Sequence, residues 1–173
     1  MFRALRNSWR LLTLALSFAR HDALFPLETL GIAPALIAWA RLFHLFGPDE
    51  PEGKFVASVA AALREGRTPH IQTPDAVRDY LDVDYAGAAI AALLASDVEG
   101  AVNIGRGEGH ALGDIAMIMA RIEGAPGLID PSGGRPAEVA TMVADVGRLQ
   151  REVGFGPPVS LQQGLAGLIA RYV

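Results

Sequence analysis

Apolar and polar positions alternate along this chain with two different periods. Over residues 2–20, Phe2, Leu5, Trp9, Leu12 and Leu16 fall on one side of a helical projection. Arg3, Arg6, Arg10, Thr13, Ser17 and Arg20 fall on the other, which predicts an amphipathic helix. Further on, the spacing predicts a helix over 54–65 with Phe55, Val59, Ala62 and Leu63 inward, stopped by Gly66. An alanine-rich helix follows over 84–96 with Asp84 as its N-cap, then a buried strand over 101–105. A helix over 113–122, a short strand over 128–130, and helices over 145–153 and 160–172 complete the pattern, the last two capped by Asp145 and Ser160. The stretch 35–46 is open: its run Leu36-Ile37-Ala38-Trp39 suits a buried strand or a buried helix. Strands alternating with helices argue for an α/β fold.

Charge divides the chain. Residues 1–46 hold five arginines against Asp22 and Glu28, a balance of +3, and residues 47–173 carry −7. The shift falls near Gly47-Pro48, where residues 49–53 read as a loop. The expected organisation is a basic helical head, 1–36, on an acidic, glycine-rich body, 37–173. With 173 residues the chain amounts to one ordinary domain plus an attachment. Its net charge of −4 gives no support to nucleic-acid binding. The absence of cysteine excludes a disulfide framework, a thiolate metal site and a cysteine nucleophile. Four scattered histidines make no metal-ligating helical pair, so no metal is expected.

The head is compatible with four roles. It suits an anionic membrane surface through residues 2–20, a cleaved signal peptide, a transit-like presequence, or an ordinary helix docked on a core. The uncharged run 29–40 is shorter than the roughly 20 apolar residues of a membrane-spanning helix. A cytoplasmic protein, peripheral at the inner membrane surface if the head attaches there, is the expected location.

Strand 101–105 leads into Gly105-Arg106-Gly107-Glu108-Gly109, and Asp130 follows the next predicted strand. This imitates a dinucleotide-binding unit, in which backbone N–H groups at a helix start hold a pyrophosphate. The third glycine is missing, since position 110 is His, and Glu108 would set a carboxylate beside the phosphate. A tight turn between strand and helix is the expected reading.

Two resemblances add to these patterns. The phrase Ala19-Arg20-His21-Asp22-Ala23-Leu24-Phe25 resembles the N-terminal segment of UbiB-type kinase-like proteins of ubiquinone biosynthesis. No lysine motif of that family follows, because Lys54 is succeeded by Phe55-Val56-Ala57, so kinase activity is not implied. From about Ile37 onward, five phrases occur in order: Trp39-Ala40-Arg41-Leu42-Phe43-His44-Leu45-Phe46-Gly47-Pro48, Val77-Arg78-Asp79-Tyr80-Leu81-Asp82-Val83-Asp84, Val102-Asn103-Ile104-Gly105, Gly134-Arg135-Pro136-Ala137-Glu138, and Gly154-Phe155-Gly156-Pro157 before Ser160-Leu161. In that order they are similar to the C-terminal half of extended short-chain dehydrogenases/reductases, the NAD-dependent epimerases and dehydratases of nucleotide sugars. The two resemblances meet at Ala38-Trp39-Ala40-Arg41-Leu42.

The second resemblance implies a partial fold: a substrate-binding half of short strands and helices, with the Rossmann domain missing. It implies that Arg78 and Arg135 contact a substrate diphosphate, a role that suits the bidentate guanidinium fork. Set against this, Arg78 also suits an ion pair with Asp79, Asp82 or Asp84. Arg41, Phe43 and Pro48 match the family's substrate-side strand and loop, whereas Asn103 is expected to fix a turn. NAD(P) is implied only if a Rossmann half is supplied; no cofactor is expected in this chain alone. The family's Tyr-x-x-x-Lys pair, in which lysine tunes a tyrosine for proton transfer, is absent, because Glu50 stands four residues before the single lysine, Lys54. Two functions follow from these readings. One is a relative of nucleotide-sugar epimerases and dehydratases, inactive alone and retaining nucleotide-diphosphate-sugar binding. The other is a non-enzymatic membrane-surface or interaction protein attached by its head. A bare apolar surface, formed by Leu36, Ile37, Trp39 and the alanine face of 84–96, predicts self-association or a covering partner.

Overall fold

The computed structural model describes residues 37–130 and 141–171. The head 1–36, with its helical, UbiB-like and membrane readings, lies outside the described residues, as does Arg135. The open stretch 35–46 resolves into strands: β1, Ala38–Leu42, and β2, His44–Phe46. Each gains a parallel partner, which is what decides strand over helix here. β1 pairs with β5, Gly100–Ile104, from Ala38↔Gly100 to Leu42↔Ile104. β2 pairs with β4, Tyr80–Asp82, with His44 opposite Tyr80. Phe43 bridges the two ladders, its N–H donating to the Ile104 carbonyl at 3.1 Å. A third small sheet sets β3, Val77–Arg78, between β6, His110–Ala111, and β7, Thr141–Met142.

Helix α1, Phe55–Arg64, ends as its sequence demands. Gly66 takes φ +67, the Gly66 N–H reaches the Leu63 carbonyl and the Arg67 N–H reaches the Ala62 carbonyl. Those two bonds satisfy the last carbonyls, and glycine adopts the required left-handed turn without strain. Helix α2 runs Val83–Ala95. Its cap is Asp82, two residues before the expected Asp84; the Asp82 carboxylate accepts from the Asp84 N–H at 2.8 Å. Asp84 instead pairs with Arg171 at 2.8 Å.

Helix α3, Leu112–Ile122, matches its pattern. The expected strand 128–130 is not a strand. Residues Pro126–Leu128 form a 3₁₀ turn, with Pro126 supplying the fixed φ that starts a helical turn. Helix α4 is limited to Gly147–Arg151, with the Asp145 carboxylate accepting from the Gly147 N–H at 2.8 Å. Helix α5, Leu161–Ala170, begins with Ser160 and Gln163 satisfying each other's backbone N–H, a full capping box.

Two clusters hold these elements together. Phe46, Tyr80, Val59, Ile115, Met119 and Leu165 pack between α1, α3 and α5. Ala40, Leu81, Ala89, Val102, Ile104 and Leu149 pack among β1, β4, β5, α2 and α4. The surface expected to be bare is only partly so. Ile37 is buried and Trp39 half-buried, and Leu36 lies outside the described residues. The outward alanine face of α2 is exposed as expected. Among the described residues no helix is long and apolar enough to cross a membrane.

Candidate functional site

Side chains alternate along the extended stretch 77–82. One side places Asp79 and Leu81 in the interior, both with no exposure. The other places Arg78 and Tyr80 beside β2. There the His44 and Tyr80 rings lie 5.2 Å apart, and Phe55, at the start of α1, stands 5.8 Å from Tyr80 on centroids. Glu50 and Lys54, from the loop before α1, complete the group.

The electrostatics of this group are mixed. Burial first, then the positive charge of Arg78, pulls the His44 imidazole below its ordinary value, with Asp79 opposing and Lys54 assisting. Among the described residues, His44 Nδ1 is buried without a hydrogen-bond partner. Burial raises the Glu50 carboxyl, while the Ala57 N–H and the Lys54 charge oppose that rise. Tyr80 is pushed up to about 12, mainly by burial and next by Glu50, with Arg78 working the other way. A phenol held protonated in this way is the reverse of an activated proton acceptor. The group can bind an anion through Arg78 and donate hydrogen bonds.

His44 gives a pH signature. Its lowered value means that the unfolded chain takes the proton at higher pH than the folded one. The stability owed to a neutral His44 is complete above its ordinary value of 6.5 and is lost as pH falls through that value toward the folded one. Glu50 acts in the opposite sense, its contribution fading as pH rises above 4.5. Between about pH 7.5 and about pH 5, His44→Gln should therefore lose less stability than wild type in urea titrations. Equal losses would show that His44 does not carry the difference.

Behind this face, the turn that imitates a dinucleotide loop is already occupied by an anion of the chain itself. The Asp79 carboxylate accepts from the N–H groups of Arg106 at 2.8 Å, Gly107 at 2.9 Å and Ala144 at 3.1 Å. A Cβ on Gly105 would stand 2.5 Å from the Ala144 Cβ and 2.9 Å from Asp79 Oδ2, so the turn tolerates only glycine there. β6 also separates the turn from α3. The amides that would hold a pyrophosphate are spent on Asp79, so this turn does not fit NAD(P); it is a turn as expected, but one that leads into β6 and not directly into a helix. Among the described residues no group of three or more acidic or histidine side chains is placed to hold a metal ion.

The sequence-predicted residues are partly assembled. Arg78 is half-buried on β3, with Nη1 donating to the Val77 carbonyl at 2.9 Å. Of the acids offered as its ion partners, Asp79 accepts from backbone amides, Asp82 caps α2 and Asp84 pairs with Arg171. Phe43 and Pro48 are half-buried on either side of β2, while Arg41 is exposed on β1 opposite Asn103. Asn103 fixes a turn, its Nδ2 donating to the Asp145 carbonyl at 2.9 Å. Sequence reasoning missed His44, Tyr80, Asp79 and Arg106. The available signal was the pairing of two strands that put His44 opposite Tyr80, and no local spacing shows that.

No family model matches the chain. Comparison with curated proteins is informative. Over 135 residues the chain is 30% identical to a dTDP-glucose 4,6-dehydratase of Streptomyces griseus, covering 76% of this chain and 41% of that protein. It is 27% identical to a dTDP-L-rhamnose 4-epimerase of Burkholderia thailandensis, covering 74% and 37%. The chain is related to nucleotide-sugar epimerases and dehydratases. It spans about 40% of the length of the curated relatives it matches. Among solved structures, the dTDP-glucose 4,6-dehydratase DesIV of Streptomyces venezuelae, with NAD bound, superposes with a TM-score of 0.70 at 24% identity. That match covers 84% of this chain and 45% of that one, and it establishes the same mixed α/β fold for the part shared.

Proposed function

We propose that this chain carries the nucleotide-sugar-binding portion of an epimerase/dehydratase-type protein. As it stands, it binds a nucleoside diphosphate without turning over a nicotinamide cofactor. The observation that supports this reading is the half-buried Arg78 held on one strand face with His44 and Tyr80. A guanidinium there offers charge-assisted, forked hydrogen bonds to phosphate oxygens. Arg135 supplies the second fork in this reading, and Arg41, Phe43 and Pro48 border the sugar side. The relatives' names support the ligand class, since they act on dTDP-sugars. Absence of turnover follows from the missing Tyr-x-x-x-Lys pair and from the occupied amides of the glycine turn.

Two arginines alone should bind weakly, because much of the interaction energy goes into ordering the ligand and the side chains that meet it. Titration with UDP and dTDP, followed by NMR shifts, should give a dissociation constant near about 1 mM, or about −4 kcal/mol. Arg78→Ala and Arg135→Ala should each remove the shifts, and Arg78→Lys should weaken them, since a point charge does not reproduce the fork. Added salt should weaken binding as well. Identical shifts in wild type and both alanine variants would refute the site. Saturable, protein-dependent loss of nicotinamide absorbance with a nucleotide sugar would refute the lack of turnover.

A further inference from the structure

Helix α2 carries no charged side chain from Tyr85 to Ser96. Its inner side, Ala86, Ala89 and Leu93, is buried against the strands. Its outer side, Ala88, Ala91, Leu94 and Ala95, is exposed, and Leu94 alone is 45% exposed. A surface helix ordinarily turns charged residues to water, and a helix apolar all round is one covered on both sides. Something therefore belongs on the outer side of α2.

Chain path and hydrophobic pattern indicate which segment that is. The described chain begins at Ile37, whose carbonyl accepts from the Gly100 N–H at 2.8 Å. Gly100 follows α2 after a four-residue loop, 96–99. Residues 1–36 thus join the fold beside the C-terminal end of α2. Stretch 21–36 can extend to roughly 50 Å, whereas α2 is about 20 Å long, so residues 2–20 reach all of it. Their sequence offers a matching surface, with Phe2, Leu5, Trp9, Leu12 and Leu16 on one helical side. The arginines of the other side would then face water, giving this surface the charged outer layer that α2 itself lacks. Small side chains on α2 let large ones on a second helix approach closely.

We propose that residues 2–20 dock as a helix on the outer side of α2 in the same chain, with Trp9 and its apolar neighbours against Ala88, Ala91, Leu94 and Ala95. The head is then an intramolecular cover, and its arginines form the new solvent-facing side. This inference stands apart from the nucleotide site and survives if that site fails.

The chain has no cysteine, so a single nitroxide can be placed at Glu99→Cys in the full-length protein. Amide signals of residues 2–20 should lose most of their intensity in that chain. They should regain it when Ala91→Glu is added on α2, and equally when Leu5→Glu is added in the head. Broadening that persists in both glutamate variants would reveal nothing more than a tether and would overturn docking. Broadening that appears only when isotope-labelled chain is mixed with separate nitroxide-bearing chain would assign the surface to a second copy instead. No broadening in solution, together with co-sedimentation of the chain on phosphatidylserine-containing vesicles, would assign the head to a membrane and overturn the proposal.

Discussion

Asp79→Ala should leave the chain unfolded or close to it. The Asp79 carboxylate is completely buried, and three backbone N–H groups from two separate loops converge on it. Alanine removes all three acceptor contacts at once and provides no water to replace them. Each orphaned buried donor costs about 1–3 kcal/mol, so the loss is about 4 kcal/mol or more. A domain of this size has a total stability of only about 5–15 kcal/mol. Asp79→Asn keeps one oxygen and turns an NH₂ toward N–H groups that need an acceptor, so it should cost about 2 kcal/mol. Urea denaturation followed by circular dichroism checks both values. A soluble Asp79→Ala chain with a wild-type midpoint would show that the three amides find other partners, and the account of the turn would fail.

That carboxylate also shows where reading the sequence stops. Helices α1, α3 and α5 were legible because their signals are local: a 3.6 period, a stop glycine at Gly66, and Ser160 as a cap. The order of helices and strands, and hence the α/β class, follows from such signals. The cap of α2 was misplaced because Asp82 and Asp84 are both competent caps, and only the pairing of β4 with β2 fixes where the strand ends. The expected strand at 128–130 failed because Pro126-Gly127 starts a 3₁₀ turn, and among the described residues no strand pairs with it. Stretch 35–46 was undecidable locally for the same reason, since its strand character comes from partners more than thirty residues away.

Arg78 was legible as a candidate site residue because its neighbours in sequence form a recognisable phrase. His44 and Tyr80 were not, since the contact between their rings exists only through strand register. The glycine run 105–109 is the most instructive case. Its composition points to a phosphate, yet its amides close on a carboxylate 26 residues earlier in the chain than Gly105, and that can be read only from the folded structure.

Arg106 should be the second most sensitive position. Its guanidinium is almost fully buried, and burial lowers its value while Glu108, Asp79, Asp82 and Tyr85 oppose that shift. Nε donates to the Tyr80 carbonyl at 3.1 Å and Nη1 to the Val159 carbonyl at 2.7 Å. Tyr80 begins β4, and Val159 directly precedes the Ser160 cap of α5, so one side chain ties the strand that carries the site to the entrance of the last helix. Hydrogen bonds to a charged donor contribute about 1.5–3 kcal/mol each, offset by the relief of no longer burying a cation. Arg106→Ala, which also empties the volume of a buried side chain, should cost about 3 kcal/mol. Arg106→Met refills most of that volume and should cost about 2 kcal/mol. The gap between the two separates packing from hydrogen bonding. Hydrogen exchange gives the discriminating readout: in Arg106→Met, amides of Leu161–Ala170 should exchange faster than those of Phe55–Arg64 relative to wild type. Uniform acceleration of both helices would mean that Arg106 supports the fold as a whole and is no specific tie to α5.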